Sequence, residues 1–252
     1  MIPLVDVRRV SKAYASPAGP VRALAAVSLS VDAGGICAMV GPSGSGKSTL
    51  LGLIGGLDRP TSGELWVCGA RLDAMPARLR ARFRLAHVGF IFQANNLIPI
   101  LTVAENVALP LSLSPLSIRE RRRRVDGLLE ELDLRGLAAR RPAELSGGQQ
   151  QRVGIARALV LNPALVLADE PTAHLDVDTG REVMTLLRSL NDRHGTTLIF
   201  STHDPAIEAV ATQRCVLRGG RVIEAQETEP TIAWPSCFAS PSAISSATLD
   251  GR

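Results

Sequence analysis

Runs of apolar residues separated by glycine-rich turns recur along the chain and predict a series of β-strands. Residues 4–10 and 27–35 mix apolar and polar positions in the manner of short strands. Residues 36–40 form a continuous apolar run, and similar runs occupy most of residues 88–92, 164–170 and 196–203. Such runs are typical of parallel strands that are buried on both faces. Near the end of the chain, Gly219 and Gly220 interrupt residues 215–225 and predict a hairpin.

Helical periodicity dominates the middle of the chain, from about residue 94 to residue 162. The apolar residues between Val125 and Leu132 have the spacing of one buried helical face. Ser146 and Gln149 match a capping box, so a helix is expected to begin there and to end before Pro163. Apolar residues between Val183 and Leu190 predict a further helix.

Alternation of strands and helices predicts an α/β fold with a mostly parallel sheet, interrupted by a helical insertion. Residues 226–252 are rich in serine, alanine, proline and threonine and show no periodicity. We therefore expect a separate, disordered or loosely attached tail after residue 225.

Composition and charge narrow the function only slightly. The net charge of +4 suits a phosphate-handling protein, a nucleic-acid binder or a membrane-surface protein. The basic run from Arg119 to Arg124 is expected to be a solvated helix face, not a nucleic-acid site. The four cysteines are scattered, which predicts neither a disulfide framework nor a zinc site and favours a reducing cytosol. We expect no signal peptide and no membrane span, so that any membrane part must come from another chain.

A glycine-rich loop supplies the first chemical signal. It matches the P-loop pattern G-x-x-x-x-G-K-[ST] and lies between an apolar strand and a predicted helix. Backbone N–H groups of such a loop bind phosphate, Lys47 is expected to reach the β- and γ-phosphates, and Ser48 is expected to bind Mg²⁺. We count the following residues as nucleotide-binding: Gly41, Pro42, Ser43, Gly44, Ser45, Gly46, Lys47, Ser48 and Thr49.

Two acids end a later apolar strand. Asp169 would lie at the carboxyl edge of the sheet beside the P-loop and hold Mg²⁺ through water. Glu170 is expected to be the general base that polarises the attacking water. These features predict a P-loop nucleotide hydrolase and leave kinases, helicases, GTPases and transporter motors open. The chain lacks a GTPase-type N-K-x-D segment, which lowers that alternative.

The segment LSGGQQQRVGIARAL, residues 145–159, resembles the signature motif of ABC-type ATPases. Physically it is a second anion-binding helix end, formed by Ser146, Gly147, Gly148 and Gln149. A capped core helix by itself would not require the glycine pair. In the family, the signature of one subunit closes over the ATP held by the other, so the resemblance implies a homodimer.

The resemblance extends over about residues 3–225 and assigns further roles. It implies that Gln93 is the Q-loop residue that touches Mg²⁺ and water, that Asp176 belongs to the D-loop and that His203 is the switch histidine on the γ-phosphate. Tyr14 takes the place of the aromatic residue that stacks on adenine. One departure is His174, which occupies a D-loop position that is usually smaller or an amide.

The same resemblance implies the architecture and the partners. We expect a P-loop NTPase core with an N-terminal antiparallel β subdomain, divided into residues 1–93 and 163–225, and an inserted helical subdomain at residues 94–162. Residues 93–111 are similar to those of stand-alone ABC ATPases that serve lipoprotein-releasing, macrolide-exporting and cell-division complexes. The expected assembly is a homodimer that binds two Mg-ATP, does not act on nucleic acid, and attaches peripherally to a separate permease on the cytoplasmic face of the cell membrane. The alternatives are an ABC ATPase that remodels nucleic acid or ribosomes and a non-transport regulatory scaffold.

Overall fold

A six-stranded sheet forms the centre of the fold in the computed structural model, which describes residues 3–17 and 19–228. Its strand order is β10-β9-β3-β8-β7-β6, with parallel pairing throughout except for the antiparallel edge strand β10. These strands are β3 (Ile36–Val40), β6 (Val88–Ile91), β7 (Leu165–Asp169), β8 (Thr197–Thr202), β9 (Gln213–Arg218) and β10 (Arg221–Glu227). The strand β10 includes the first two residues of the expected tail, 226 and 227. Residues 229–252 of that tail lie outside the described residues.

A second, four-stranded sheet is antiparallel and has the order β2-β1-β4-β5. Its strands are β1 (Val5–Tyr14), β2 (Val21–Val31), β4 (Ser62–Val67) and β5 (Ala70–Arg71). This sheet and the six-stranded sheet confirm the predicted fold class.

The helices cover both faces of the six-stranded sheet. They are α1 (Lys47–Ile54), α2 (Ala77–His87), α3 (Val103–Ala108), α4 (Ile118–Glu131), α5 (Gly147–Leu159), α6 (Val177–His194) and α7 (Pro205–Glu208). Three short 3-10 helices lie at Leu109–Leu113, Arg135–Leu137 and Pro142–Glu144. None of the described helices is both long enough and apolar enough to cross a bilayer.

Two hydrophobic cores result from the alternation of side chains along the strands. On one face, Met39, Leu167 and Ile199 of the central strands pack with α1 and the antiparallel sheet. On the other face, Ala168 and Phe200 pack with α3, α4, α5 and α6. Because β3, β8 and β7 are adjacent and parallel, the P-loop after β3 and the carboxyl ends of β7 and β8 meet at one edge of the sheet.

The helices α2 and α7 escaped prediction, and one predicted feature changed its context. Only Arg80 and Phe83 are buried in α2, so its sequence carries almost no apolar period. The arginine run from Arg119 to Arg124 lies inside α4 rather than before it. Most of these arginines are exposed or half-buried, and two of them pair with Glu120, which agrees with a solvated helix face.

Candidate functional site

The P-loop connects β3 to α1 through a backbone that only glycine accommodates at two positions. A Cβ atom on Gly41 would lie 2.2 Å from the carbonyl oxygen of Leu217. Gly46 has a φ of 106°, and a Cβ atom there would lie 2.8 Å from the carbonyl oxygen of Ala23. Since Gly46 is the N-cap residue of α1, no side chain caps this helix start. Its first backbone N–H groups are therefore available to an anion.

Lys47 is turned back onto the loop that precedes it. Its side chain is only 6% exposed, and its Nζ donates to the carbonyl oxygens of Gly41 at 2.7 Å and Pro42 at 3.2 Å. The same Nζ lies 4.0 Å from Oε1 of Glu170. This places a positive charge at the mouth of the P-loop.

The other P-loop side chains divide into exposed and buried groups. Ser43 and Ser48 are exposed, Pro42 and Gly44 are also exposed, and Thr49 is half-buried. Ser45 is buried, and its Oγ has no hydrogen-bond partner among the described residues. A buried hydroxyl without a partner is costly, so this oxygen suits a polar ligand that the loop receives.

Glu170 and His203 lie together at the carboxyl ends of β7 and β8. Oε1 of Glu170 is 3.6 Å from Nδ1 of His203, and the His203 side chain is 69% exposed. Together with Lys47, these residues surround one carboxylate oxygen. The carboxylate of Asp169, the last residue of β7, accepts a 2.6 Å hydrogen bond from the Ser201 hydroxyl. The sequence pattern does not single out Ser201, because its strand shows only the character of a buried apolar run.

Gln93 lies after β6, and its side chain is exposed. Nδ1 of His174 is 3.1 Å from the carbonyl oxygen of Gln93. His174 thus contacts the loop after β6 of its own chain.

A second contact fixes the same loop from the signature helix. Asn95 and Asn96 have left-handed backbones with φ of 55° and 47°, a conformation that asparagine tolerates. The Arg157 guanidinium of α5 donates to both of their carbonyl oxygens at 2.6 Å. Burial lowers the pKa of this guanidinium. The loop after β6 is therefore hydrogen-bonded both to His174, before α6, and to Arg157 of α5.

The signature segment begins α5 with the predicted capping box. The Oγ of Ser146 accepts from the Gln149 N–H at 3.3 Å, and Oε1 of Gln149 accepts from the Ser146 N–H at 3.0 Å. No hydrogen bond within the described part of the chain joins residues 146–149 to the P-loop. Ser146 and Gly147 are exposed on the surface of this single copy.

Gly148 requires a correction. The expectation that a capped core helix does not need its glycine pair is wrong for Gly148. A Cβ atom on it would lie 2.6 Å from Cγ2 of Thr179 in α6, whereas one on Gly147 would meet Leu175 at an ordinary 3.5 Å. Asp176 caps α6 by accepting from the Thr179 N–H at 3.0 Å, and this bond lowers the pKa of Asp176. The start of α5 and the start of α6 thus pack against each other within one chain.

Tyr14 lies at the end of β1 with its ring 42% exposed. Nζ of Lys12 lies 4.8 Å from the ring centroid and also forms a 2.7 Å ion pair with Asp58. Part of Tyr14 is therefore accessible to solvent.

A mostly apolar groove of about 610 Å³ opens between α2, β6, the 3-10 helix Leu109–Leu113 and α5. Its apolar lining includes Leu57, Leu85, Phe90 and Leu113. Four arginines also line it: Arg78, Arg82, Arg84 and Arg157. Among the described residues none of the four pairs with a carboxylate; Arg84 and Arg157 donate to backbone carbonyl oxygens instead.

Comparison with known proteins reveals consistent relatives. The ABC transporter family profile matches residues 24–173. The lipoprotein-releasing system ATP-binding protein LolD of Psychrobacter arcticus is 44% identical over 221 residues, which cover 87% of this chain and 98% of LolD. The macrolide export ATP-binding/permease protein MacB of Sodalis glossinidius is 42% identical over 242 residues, which cover 95% of this chain and 37% of MacB. The methionine import ATP-binding protein MetN 2 of Burkholderia mallei is 45% identical over 224 residues, which cover 87% of this chain and 56% of MetN 2.

A solved structure with the same architecture is the dimeric post-hydrolysis state of the ATP-binding cassette MJ0796 bound to ADP and Pi. Its TM-score against this chain is 0.82 at 40% sequence identity. The match covers 88% of this chain and 98% of that cassette.

Proposed function

Because the chain belongs to the ABC transporter family, we propose that two copies of it enclose two molecules of Mg-ATP and thereby drive separate membrane subunits. The chain is the ATP-binding subunit of an ABC transporter and an ATPase. The division into a core of residues 1–93 and 163–225 and a helical subdomain of residues 94–162 is part of the proposal. So is peripheral attachment to the cytoplasmic face of the cell membrane.

The observation that carries the dimer is the presence of two phosphate-suited helix ends on a chain with one P-loop. One end, at Gly46, has free backbone N–H groups and a lysine beside them. The other, at Ser146, is exposed and has no hydrogen bond to the P-loop in the described residues. A partner copy supplies the missing neighbour, and the dimeric state of the MJ0796 cassette supports this arrangement.

The hydrolytic roles follow from the contacts around Glu170. Its carboxylate accepts the proton of the water that attacks the γ-phosphorus, while the bond to the bridging β–γ oxygen breaks. Lys47 balances the charge on the β- and γ-phosphates, and His203 donates a hydrogen bond to the γ-phosphate. The distances of 4.0 Å and 3.6 Å from Oε1 of Glu170 keep these three groups within one site.

The oxygen atoms near the P-loop fit a magnesium ion. Hydroxyl, carboxylate and amide oxygens are the ligand types that Mg²⁺ prefers, and it usually binds one or two protein groups together with phosphate and water. We assign Ser48, Asp169 and Gln93 as the residues that would hold it. When bound, the ion neutralises charge on the phosphates.

The remaining assigned residues contact the nucleotide, and they come from both copies of the chain. Tyr14 stacks on adenine, and the P-loop residues from Gly41 to Thr49 bind the phosphates. Residues 146–149 and Asp176 of the other copy close over the γ-phosphate.

The groove beside the Q-loop is the proposed contact with the membrane subunit. Its apolar lining and its arginines without carboxylate partners suit an amphipathic helix with acidic residues. Because Arg157 joins this groove to Asn95 and Asn96, movement of the Q-loop would reach a helix bound there.

Export or extrusion of lipophilic cargo is the direction that we propose, in line with the names of LolD and MacB. MetN 2, which is named for import, is as similar to this chain. We also propose that the membrane subunit recognises the cargo.

A Glu170→Gln variant tests the dimer. With Mg-ATP it should sediment as a dimer and hydrolyse ATP at least about 100-fold more slowly than the wild type, because the general base is lost while binding is kept. Adding Lys47→Ala to this variant is the control and should return it to a monomer. A Glu170→Gln chain that stays monomeric with saturating Mg-ATP, even beside its membrane subunits, contradicts the proposal.

Charge reversal tests the groove. Arg78→Glu with Arg82→Glu should weaken binding of the co-expressed membrane subunit by about 10-fold or more, measured by quantitative pull-down from solubilised membranes. The matched control is Arg119→Glu with Arg122→Glu on the exposed face of α4, which should bind normally. Equal binding by both double variants, or association with ribosomes or DNA instead of a membrane protein, contradicts the assignment.

A further inference from the structure

Ser201 is a polar residue near the carboxyl end of β8, beside the proposed nucleotide site. It is fully buried, at 0% exposure. In the parallel register it lies opposite Asp169 of β7 on one side and Met39 of β3 on the other. Residues 197, 199 and 201 face the same side of the sheet, which is the side that packs on α1. The hydroxyl thus points toward the P-loop helix.

The Ser201 hydroxyl forms hydrogen bonds with both acids of the site. It donates to Oδ1 of Asp169 at 2.6 Å and accepts from the backbone N–H of Glu170 at 2.9 Å. A carboxylate can only accept and a backbone amide can only donate. The single hydroxyl hydrogen must therefore point at Asp169, and the orientation of the whole group is fixed without ambiguity.

Glu170 needs this support because its backbone is strained. Its φ is 47°, in the left-handed region that non-glycine residues rarely adopt. Such a conformation persists only where surrounding contacts hold it. The hydrogen bond from its N–H to Ser201 is one such contact, and Ser201 belongs to the buried strand β8.

We infer that Ser201 is a positioning residue, which orients the Asp169 carboxylate and holds the Glu170 backbone in its hydrolytic conformation. The inference rests on the proposed roles of Asp169 and Glu170. With Oδ1 of Asp169 occupied by the serine, Oδ2 would be the oxygen left to hold Mg²⁺ through water. Groups that orient metal-binding carboxylates typically change metal affinity or activity by about 10–100-fold when removed.

The test compares three variants of the full-length chain. Ser201→Ala removes the hydroxyl, and Ser201→Thr keeps it. The control is Thr197→Val in the same strand, where a hydroxyl that is also buried accepts from the Gly34 N–H at 2.8 Å at the far end of β8. For each variant kcat and KM for ATP are measured. In a Glu170→Gln background, the Mg²⁺ concentration that half-saturates the thermal stabilisation of the chain by ATP is also measured.

Ser201→Ala should lower kcat by about 10–100-fold, change KM by less than about 3-fold and raise the half-saturating Mg²⁺ concentration by about 10-fold. Ser201→Thr should recover at least part of both losses. Thr197→Val should leave kcat and the Mg²⁺ requirement within about 2-fold of the wild type, even if it melts at a lower temperature.

Wild-type values for Ser201→Ala overturn the inference. So does a loss of kcat and Mg²⁺ affinity in Thr197→Val that equals the loss in Ser201→Ala, because that pattern indicates a general effect of strand stability. If Glu170→Gln proves as active as the wild type, the proposed role of Glu170 fails. The Mg²⁺ measurement needs no hydrolysis and still decides the role of Ser201 toward Asp169.

Discussion

Two helices of this chain begin at an end suited to phosphate, and the two ends are built differently. The start of α1 has no side-chain cap, a left-handed glycine at position 46 and a buried, unpartnered hydroxyl at Ser45. At the start of α5, the side chains of Ser146 and Gln149 each accept a hydrogen bond from the backbone N–H of the other residue. Residues 146–149 carry no charge. One end leaves its polar groups open, whereas the other satisfies several of them within its own turn.

We interpret the α1 end as the phosphate-binding site and the α5 end as a surface that closes over a nucleotide bound by another copy. The α1 end has backbone N–H groups without a side-chain cap and Lys47 beside them, so it can attract a polyphosphate in a single copy. The α5 end offers only the few backbone N–H groups that its capping box leaves free. It should therefore contribute to affinity only after a nucleotide has been bound by another copy.

The largest expected effect comes from removing the charge at the α1 end. Lys47→Ala should weaken ATP binding by the monomer about 100-fold, because a charge-assisted contact with phosphate is lost. Binding is measured by titration at protein concentrations below those of dimerisation.

Ser146→Ala is the matched comparison and should leave monomer affinity within about 2-fold of the wild type. If Ser146→Ala weakens ATP binding by the monomer as much as Lys47→Ala does, the two ends act in one copy, and the distinction between them fails.

The α1 end was largely predictable because its elements are adjacent in sequence. An apolar strand, the glycines and Lys47 lie within about a dozen residues, and the capping box of α5 likewise spans four positions. Contacts between distant segments were not predictable. Ser201 reaches Asp169 across 32 residues through strand register, and His174 reaches Gln93 across 81. The helix α2 was missed because Phe83 is its one buried apolar side chain.

Glycine substitutions sharpen the comparison at the α5 end. Gly148→Ala should lower the free energy of unfolding by about 1–3 kcal/mol, because its Cβ would overlap Cγ2 of Thr179. Adding Thr179→Ser removes that methyl group and should restore most of the stability in denaturant titrations.

Gly147→Ala is the control, since a Cβ atom there has room within its own chain. We expect unchanged stability and a loss of ATPase activity, because the exposed Gly147 would face the nucleotide of the partner copy. Full activity in Gly147→Ala would place the close approach elsewhere. Unchanged stability in Gly148→Ala would mean that α5 and α6 separate easily.

The smallest expected effect is on stability and concerns two serines, one near the start of each helix. Replacing them by alanine should not change the free energy of unfolding in the same direction. Ser146→Ala removes a cap and should destabilise the nucleotide-free chain by about 1 kcal/mol. Ser45→Ala removes a buried oxygen without a partner, so it should leave the stability of the nucleotide-free chain unchanged or raise it by up to about 1 kcal/mol. Saturating ATP should then stabilise Ser45→Ala less than the wild type, because the loop has lost an oxygen that suits a bound ligand. Equal destabilisation by both substitutions in the absence of nucleotide would show that the α1 end, like the α5 end, is satisfied by its own fold.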